Sequence, residues 1–308
     1  MRFIKMTGLG NDYVYVDCFG QTVEHPARLA QVVSNRNFGI GSDGLILVLP
    51  SDEGVDAAAR MQMFNIDGSE GQMCGNGIRC VCKMVHDHQL GDHHTDNPMR
   101  IQTACSVLSL GYELDAQGKV KTVSVDMGSP ILEPAKVPVA TEELTETDQP
   151  QTFKLSVPGT TERFDATFVS MGNPHAVIYV DQVSEETGDI LRNWGAALEN
   201  HPAFPERMNI HFVEVIDDDT VKVLHWERGS GPTLACGTGA CAVCVAGVLT
   251  ERTNAAITAH LPGGPLHLEW QTPESIPGNN LESTSENACG PVIMTGPATE
   301  SFTGQWSS

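Results

Sequence analysis

The sequence has few basic residues for its size. Among 308 residues it has 18 Lys and Arg against 39 Asp and Glu, which gives a formal net charge of −21. This deficit of positive charge argues against nucleic acid or an anionic membrane as a partner, because both are bound through a basic footprint. The acidic excess is typical of a solvated surface and indicates no particular substrate.

Apolar runs long enough to span a bilayer are also missing. The longest, ACAVCVAGVL at 240–249, has ten residues, whereas a membrane helix needs roughly 20; the run is typical of a buried helix. The first residues, MRFIKMTGLGNDYVYVDC, contain no apolar segment followed by a small-residue cleavage site, so no signal peptide is expected. We therefore expect a cytoplasmic protein.

The nine cysteines do not suggest a disulfide framework, because their number is odd and they are scattered. A chain of this length can bury a large core without crosslinks, so reduced thiols are expected. Most of these thiols should be small core residues. We expect this of Cys18, Cys82, Cys105, Cys241 and Cys244.

A zinc site is the alternative for part of this set. Its candidate ligands are Cys74, Cys80, Cys82, His86 and His88. Structural zinc sites usually pair cysteines with two to four residues between them, whereas one residue separates Cys80 from Cys82. No metal site is therefore expected.

The pattern of the chain is rich in strands, with fewer helices. Strands are predicted at 13–18, 45–49, 61–66, 99–104, 121–127, 164–171, 175–180, 209–215, 220–226, 266–270 and 291–296. Helices are predicted at 26–36, 75–88, 189–200 and 237–250. A polar stretch at 272–290 is predicted to be a surface loop.

The segment Gly128–Gly159 carries five prolines and an acidic cluster at 142–149. Such composition favours a crossover between two domains that contains an exposed insertion. We therefore predict an N-terminal domain over 1–128, completed by a C-terminal strand within 290–308, and a second domain over 129–289.

An internal repeat is the most informative feature. FNIDGSEGQMCGNGI (64–78) aligns without gaps with WERGSGPTLACGTGA (226–240). In both segments an aromatic residue lies ten positions before a cysteine, and Gly-polar-Gly follows that cysteine. A further cysteine eight residues on, Cys82 or Cys244, falls about two helical turns later. The repeat predicts two similar domains, each with a cysteine at the start of a buried helix.

A cysteine at a helix start is suited to acid–base chemistry. The unpaired N–H groups and the positive end of the helix dipole favour an anion, which should lower the cysteine pKa towards a usable thiolate. The flanking glycines let a ligand approach those N–H groups. Two such thiols on opposite faces of one carbon would permit inversion, with one taking a proton and the other giving one.

These residues carry a resemblance to the diaminopimelate epimerases, which interconvert LL- and meso-2,6-diaminopimelate on the route to lysine and peptidoglycan. The similarity runs almost end to end. Its blocks are FIKMTGLGNDYVYVD, GIGSDGLILV, MFNIDGSEGQMCGNGIRC, SMGNPHAVIYV, ERMNIHFVEV, WERGSGPTLACGTGACA and VIMTGPA. The resemblance implies an α+β fold of two pseudo-symmetric domains, each a curved, mostly antiparallel sheet around a central helix. It also implies that neither pyridoxal phosphate nor a metal is used.

The resemblance further implies a site. Cys74 and Cys236 match the acid–base pair. The positions that grip the distal, non-reacting end of the substrate are matched by Asn11, Asn65, Asn173, Asn209 and Arg228. Glu227 matches the residue near the reacting ammonium group, and His175 a supporting histidine. The positions that hold the α-carboxylate are matched by Gly75, Asn76, Gly237 and Thr238.

One position departs from the family pattern, and two alternatives stay open. Gly44 stands where some members carry a glutamine that contacts substrate, so it is left out of the site.

Proline racemases and hydroxyproline epimerases also pair cysteines, but their substrates lack a second charged end for Arg228 to bind. A thiol-based metal-binding protein is the other alternative. The expected partner is a small molecule, with a homodimer left open.

Overall fold

The computed structural model describes residues 1–71, 74–183, 191, 194–272 and 289–307. The chain divides into two compact units. The first comprises Met1–Asp126 and Thr295–Ser308, and the second Met127–Met294. Within the described ranges, no helix is both long and apolar enough to cross a membrane.

The first unit is a mostly antiparallel sheet. Its strands are β1 (Arg2–Gly8), β2 (Asn11–Asp17), β3 (Gly44–Leu49), β4 (Ala59–Asn65), β5 (Glu70–Gly71), β6 (Met99–Gln102), β7 (Val107–Leu114) and β8 (Val120–Asp126). Strands β2 and β3 pair in parallel, as do β4 and β6. Its helices are α1 (Pro26–Ser34) and α2 (Gly75–Asp87). Helix α2 contacts β1, β2, β3, β4 and β8, so the sheet curves around it.

The second unit has the same plan. Its strands are β9 (Thr145–Glu146), β10 (Thr152–Ser156), β11 (Arg163–Ser170), β12 (Pro174–Tyr179), β13 (Asn209–Asp217), β14 (Thr220–Glu227), β15 (Gly231–Thr233), β16 (Ala256–Leu261) and β17 (Gly264–Trp270). A 3-10 turn covers Thr141–Glu143. Its helices are α3, described at 194–199, and α4 (Gly237–Leu249). Helix α4 contacts β11, β12, β13, β16 and β17.

Four successive strand pairings of the first unit recur in the second. The sequence of parallel, antiparallel, antiparallel and parallel pairings that begins with β2–β3 is repeated from β12–β13 onwards. Helices α2 and α4 occupy the same place in that order, after β5 and β15. The internal repeat therefore describes a repeated fold, and the predicted α+β class is confirmed.

The chain ends with β18 (Val292–Pro297) and β19 (Thr299–Gln305). In the first unit, the Thr295 and Ser124 hydroxyls are 2.7 Å apart, and β19 pairs antiparallel with β1. The strand predicted at 291–296 corresponds to β18, whereas the sequence pattern does not predict β19, which provides the edge that β1 needs.

Both faces of β3 are buried, which explains its unbroken apolar sequence. On one face Leu45 and Leu47 pack with Ala30 and Val33 of α1. On the other, Ile46 lies against Gly77 of α2. The centre of the second unit is apolar for the same reason: α4 is buried from Gly239 to Gly247 and carries almost no polar side chain.

Several expectations need correction. The sequence pattern does not predict the strands β1, β5, β7, β9, β10, β15, β16 and β19. Cys105 is exposed, so it is not the core residue expected. Cys18 is half-buried and packs against the core of the first unit, and Cys82, Cys241 and Cys244 are buried. The predicted surface loop lies outside the described residues over 273–288, as do parts of the predicted helix 189–200. The acidic insertion is exposed at Glu142 and Glu143, but the following β10 contributes Phe153 and Leu155 to the core.

Gly44 has no room for a side chain. An added Cβ would lie 2.2 Å from the Phe64 carbonyl oxygen and 2.8 Å from Cε1 of Tyr13. The Tyr13 ring and the β3–β4 pairing therefore leave no space for a larger residue at this position.

We expect Gly44→Ala to lower the free energy of unfolding by about 1–3 kcal/mol, the usual cost of overpacking. Gly111→Ala is the matched control, because it also lies in a strand and its Cβ would meet only Ser124 at 3.8 Å; it should change stability by less than about 1 kcal/mol. Urea unfolding of both variants measures the difference. Equal stabilities would contradict the proposed close contact at Gly44.

Candidate active site

Cys74 is the N-cap residue of α2. Its backbone is extended, with φ −139° and ψ 115°, and its Sγ accepts a hydrogen bond from the Gly77 N–H at 3.3 Å. The thiol also donates to Oδ1 of Asn11 at 3.4 Å. The Gly77 N–H would stabilise a thiolate, whereas Oδ1 of Asn11 accepts the proton of the thiol.

Cys236 repeats this geometry at the start of α4. Its φ is −120° and its ψ 109°, and its Sγ accepts from the Gly239 N–H at 3.3 Å. The Thr238 hydroxyl lies 3.6 Å from the sulfur. The repeat therefore places two cysteines in the same cap position, with the sulfur of each held by the third N–H of its helix.

The expected lowering of the cysteine pKa is wrong for Cys236. Burial raises the pKa of Cys236 well above its ordinary value, and the Glu227 carboxylate raises it further. Hydrogen bonds from Thr238 and the Gly239 N–H act in the opposite direction without reversing the shift. The side chain is only 4% exposed. Cys236 is thus a thiol at neutral pH, ready to give a proton.

Removing the charge of Glu227 should lower the pKa of Cys236, since a neutral neighbour no longer opposes the thiolate. We expect the rate of Cys236 alkylation in Glu227→Gln to rise at a lower pH than in the wild type. Peptide mapping after iodoacetamide treatment across a pH series measures this. Glu214→Gln, which removes a carboxylate that binds Lys222, should leave the pH dependence of Cys236 alkylation unchanged. If alkylation of Cys236 in Glu227→Gln began at the same pH as in the wild type, or at a higher pH, it would contradict the effect of Glu227 on the Cys236 pKa.

Asp43 fixes the amide of Asn11. Nδ2 of Asn11 donates to Oδ2 of Asp43 at 2.7 Å. Because a carboxylate only accepts hydrogen bonds, Oδ1 of Asn11 is turned towards Cys74. Arg36 donates to the other Asp43 oxygen at 2.8 Å and holds the carboxylate in place.

The Tyr13 ring, which covers Gly44, belongs to the same cluster. Burial raises the pKa of the Tyr13 hydroxyl above its ordinary value, and Cys74 and Asp43 raise it further. Tyr13 is therefore a neutral phenol beside the reactive sulfur. The structure thus adds Tyr13 to the surroundings of Cys74, where the sequence had indicated only Asn11.

Gly75 and Asn76 form the first turn of α2, where N–H groups have no acceptor within the helix. The fully buried Arg79 supports this turn. It donates to the Gly75 carbonyl at 3.2 Å, to Oδ1 of Asn76 at 2.9 Å and to the Pro297 carbonyl at 3.2 Å. Arg79 therefore adds positive charge to a helix start that already favours anions.

Asn65 lies at the end of β4 and shapes the turn that leads to β5. Its N–H donates to the Ser69 carbonyl at 2.8 Å, and its Nδ2 to the Ser69 hydroxyl at 2.9 Å. The equivalent residue of the repeat, Glu227, accepts a hydrogen bond from the Thr233 hydroxyl at 2.6 Å. The repeat thus places a polar side chain on the same turn in each unit.

Asn173 and His175 lie at the turn into β12. Oδ1 of Asn173 is 3.0 Å from Nε2 of His175, whose Nδ1 is 2.8 Å from Nε2 of His211. Asn173 is half-buried, whereas His175 is fully buried. Burial lowers the pKa of His175 to about 3, with further lowering by His225 and Arg228. His175 is neutral and supports Asn173.

The buried Asn209 joins two loops of the second unit. Its Nδ2 donates to the Pro174 carbonyl at 2.7 Å, and its Oδ1 accepts from the Arg228 N–H at 2.9 Å. Asn209 therefore holds the Arg228 backbone in register with the turn that carries Asn173. The Arg228 side chain donates from Nη1 to the Glu206 carbonyl at 2.8 Å, which leaves further guanidinium donors.

Glu199 holds the loop around Arg228 from the other side. This buried carboxylate accepts from the Gly229 N–H at 2.9 Å, from Nε1 of Trp226 at 2.8 Å and from Arg207 at 3.0 Å. No sequence signal indicates this residue, because a single glutamate at a helix end has no distinguishing pattern.

Gly237 and Thr238 begin α4 as Gly75 and Asn76 begin α2. A Cβ at Gly237 would lie 3.1 Å from the sulfur of Met294.

Within the described ranges, no three His, Cys, Asp or Glu side chains cluster as a metal site would require.

The fold is shared with several solved structures of low sequence identity. A hydroxyproline epimerase from Agrobacterium vitis with bound trans-4-hydroxy-L-proline is 14% identical, with a TM-score of 0.61 over 99% of this chain and 90% of that one. A phenazine biosynthesis protein from Bacillus anthracis is 13% identical, with a TM-score of 0.61 over 99% and 98%. At such identity these proteins establish the fold alone.

Sequence comparison identifies the family. The family model described as diaminopimelate epimerase matches residues 3–133 and 167–283. A diaminopimelate epimerase from Acetivibrio thermocellus is 48% identical over 308 residues, covering 99% of this chain and 98% of its own. One from Methanococcus maripaludis is 45% identical over 305 residues, covering 99% of each.

The family model and the curated relatives make this protein an isomerase that acts on an amino acid. The chain belongs to the diaminopimelate epimerase family.

Proposed function

We propose that this isomerase interconverts LL- and meso-2,6-diaminopimelate by two-base catalysis, with Cys74 and Cys236 acting on one α-carbon and without a cofactor. The single observation that carries the proposal is the matched environment of the two sulfurs, each a helix N-cap that accepts one backbone N–H at 3.3 Å. Equivalent thiols in equivalent positions are what inversion at one carbon requires.

The protonation of Cys236 assigns the first roles. Two-base inversion needs one thiolate and one thiol, and burial keeps Cys236 protonated. We assign Cys74, as its thiolate, to the role of base: it takes the α-proton, while the C–H electron pair stays on the carbon. Cys236 then gives its proton to the opposite face and becomes the thiolate. The reverse reaction begins from that form.

The two helix starts supply the electrostatic support. The carbanion formed at the α-carbon delocalises into its carboxylate, and N–H groups at a helix start stabilise such charge. We assign this role to Gly75, Asn76, Gly237 and Thr238. The buried Arg79 strengthens it on the α2 side. Glu227, close enough to Cys236 to raise its pKa, suits the reacting ammonium group.

The distal end of the substrate carries a carboxylate and an ammonium group. Arg228 is suited to the carboxylate because its planar fork can donate two parallel hydrogen bonds. Asn173 and Asn65 supply further amide groups, and Asn209 holds Arg228 and Asn173 together. Asn11, fixed by Asp43, contacts the Cys74 thiol directly, so it acts at the reacting end as well.

The predicted halves 1–128 with 290–308 and 129–289 are proposed to carry one cysteine each. A cytoplasmic location follows from the proposed role in lysine and peptidoglycan precursor synthesis, and a homodimer is left open.

Chiral chromatography of the reaction with LL-diaminopimelate tests the function. We expect meso product to appear without added cofactor, and with metal chelator present at the same rate as without it. L-Proline in place of diaminopimelate should give no D-proline. Efficient racemisation of proline, with no meso-diaminopimelate formed, would contradict the proposed substrate.

A further inference from the structure

Three histidines on neighbouring strands form an unbroken chain in the second unit. Nδ1 of His175 lies 2.8 Å from Nε2 of His211, and Nδ1 of His211 lies 2.7 Å from Nδ1 of His225. His211 and His225 face each other in the β13–β14 pairing. All three side chains are at most 1% exposed. The chain begins at Asn173 and ends at His225.

The middle of the chain lies against the start of α4. A Cβ added at Gly239 would meet Cε1 of His211 at 2.5 Å and the sulfur of Cys236 at 3.1 Å. The imidazole of His211 and the thiol of Cys236 thus flank the same glycine. The chain therefore underlies both the turn of Asn173 and the loop of Cys236.

The chain of three histidines carries no charge at neutral pH. Burial lowers the pKa of His175 and of His225 to about 3, and that of His211 well below its ordinary value. A neutral imidazole has one N–H and one bare nitrogen. Each of the two nitrogen–nitrogen contacts therefore holds one proton, and all protons in the chain must point the same way.

Two directions are conceivable, and they differ at the ends. If the protons point towards Asn173, its Oδ1 accepts from His175 and Nε2 of His225 is bare. If they point the other way, Nδ2 of Asn173 donates to His175 and Nε2 of His225 carries a hydrogen. Among the described residues, that nitrogen has no hydrogen-bond partner. A buried N–H without an acceptor is rarer in proteins than an under-satisfied acceptor, which favours the first direction.

We propose that His211 and His225 are positioning residues, which lock His175 as its Nε2–H tautomer and thereby hold the amide of Asn173 with its NH2 group turned away from the chain. That group is then available to a substrate carboxylate rather than to an ammonium. The proposal deepens the proposed function, on which it rests through the assignment of Asn173 to substrate binding. This orientation of the Asn173 amide makes the distal site prefer an anion at that position.

The tautomers are read directly by 15N NMR of histidine-labelled, substrate-free protein. We expect the hydrogen on Nε2 in His175 and His211, and on Nδ1 in His225. Assignment uses the loss of one signal set in each single variant. A hydrogen on Nε2 of His225, or a doubly protonated ring in any of the three at neutral pH, would overturn the proposal.

A pair of variants at His211 tests the consequence for binding. His211→Gln keeps an N–H donor at the Nε2 position, whereas His211→Met has similar length and no donor. We expect the methionine variant to raise the KM for diaminopimelate about tenfold, the effect of losing one hydrogen bond to a charged group, with a smaller change in kcat. The glutamine variant should keep KM within about twofold.

The two readouts separate this proposal from the proposed function. Equal KM values for the methionine variant and the wild type would overturn the positioning role, even with an active enzyme. Thermal unfolding of both variants shows how much of each protein is folded. Unfolded protein lowers the apparent kcat but not KM, so a methionine variant that loses only apparent kcat would also overturn the positioning role. A wild-type protein without epimerase activity would refute the function, and the NMR result would still report the chain.

Discussion

Replacing either Cys74 or Cys236 with alanine is expected to remove nearly all epimerase activity. The value of kcat/KM should fall by about a hundredfold to ten-thousandfold, which is the usual contribution of a positioned acid or base. In the proposed mechanism each sulfur serves one face of the α-carbon, so neither can take over the role of the other. The measurement is the rate of meso-diaminopimelate formation from the LL isomer, and of the reverse reaction, for each purified variant.

The loss must be separated from a loss of folding. Each cysteine caps its helix through a backbone N–H at 3.3 Å, and removing a capping acceptor costs about 1 kcal/mol. Circular dichroism should therefore show a folded protein with a modestly lower Tm. Cys105→Ala is the matched control, because this thiol is exposed, and it should keep full activity. A variant of Cys74 or Cys236 that retains more than about a tenth of the activity in both directions would contradict the two-base assignment.

Arg228→Lys is expected to raise the KM for diaminopimelate by about ten- to a hundredfold, because lysine keeps the charge but loses the planar pair of donors that a carboxylate binds. The value of kcat should fall less, since the distal carboxylate is bound in the ground state and the transition state alike. Steady-state kinetics of the variant measure both parameters.

Arg207→Lys is the matched control for this substitution. Arg207 lies near the same loop, where its half-exposed side chain pairs with Glu199 at 3.0 Å, but it is not assigned to substrate. It should leave KM within about twofold, since an ion pair with an exposed partner contributes little. Similar KM values for the Arg228 variant and the wild type would remove Arg228 from the proposed carboxylate site.

The fold was predictable where burial leaves a pattern in the sequence. β3 is apolar throughout because both of its faces are covered, and the predicted helix at 237–250 corresponds to α4 because a helix buried on all sides must be apolar. The missed strands have the opposite character. β19 is TESFTGQ and largely exposed, and it forms only because β1 offers a partner some 300 residues away in sequence. Local propensity contains no information about such pairing.

The site was predictable to the extent that it is repeated. Aligning the two cysteine segments identifies both caps, because the same turn and helix start recur with the same spacing. Asp43, Arg79 and His211 were missed, because each is a single polar residue whose role depends on a contact with another part of the chain. The raised pKa of Cys236 was missed for a related reason: the helix start is visible in the sequence, but its depth of burial is not.

The most direct test of the two-base mechanism is to start the reaction with LL-diaminopimelate in deuterated water and examine both pools during the first few per cent of conversion. Two-base catalysis predicts meso product with a solvent deuteron at the inverted carbon and recovered LL substrate without deuterium. The reason is that the proton removed by one thiol is not the proton delivered by the other. Product that retains the original hydrogen, or recovered substrate that exchanges as fast as product forms, would contradict it and indicate a single base.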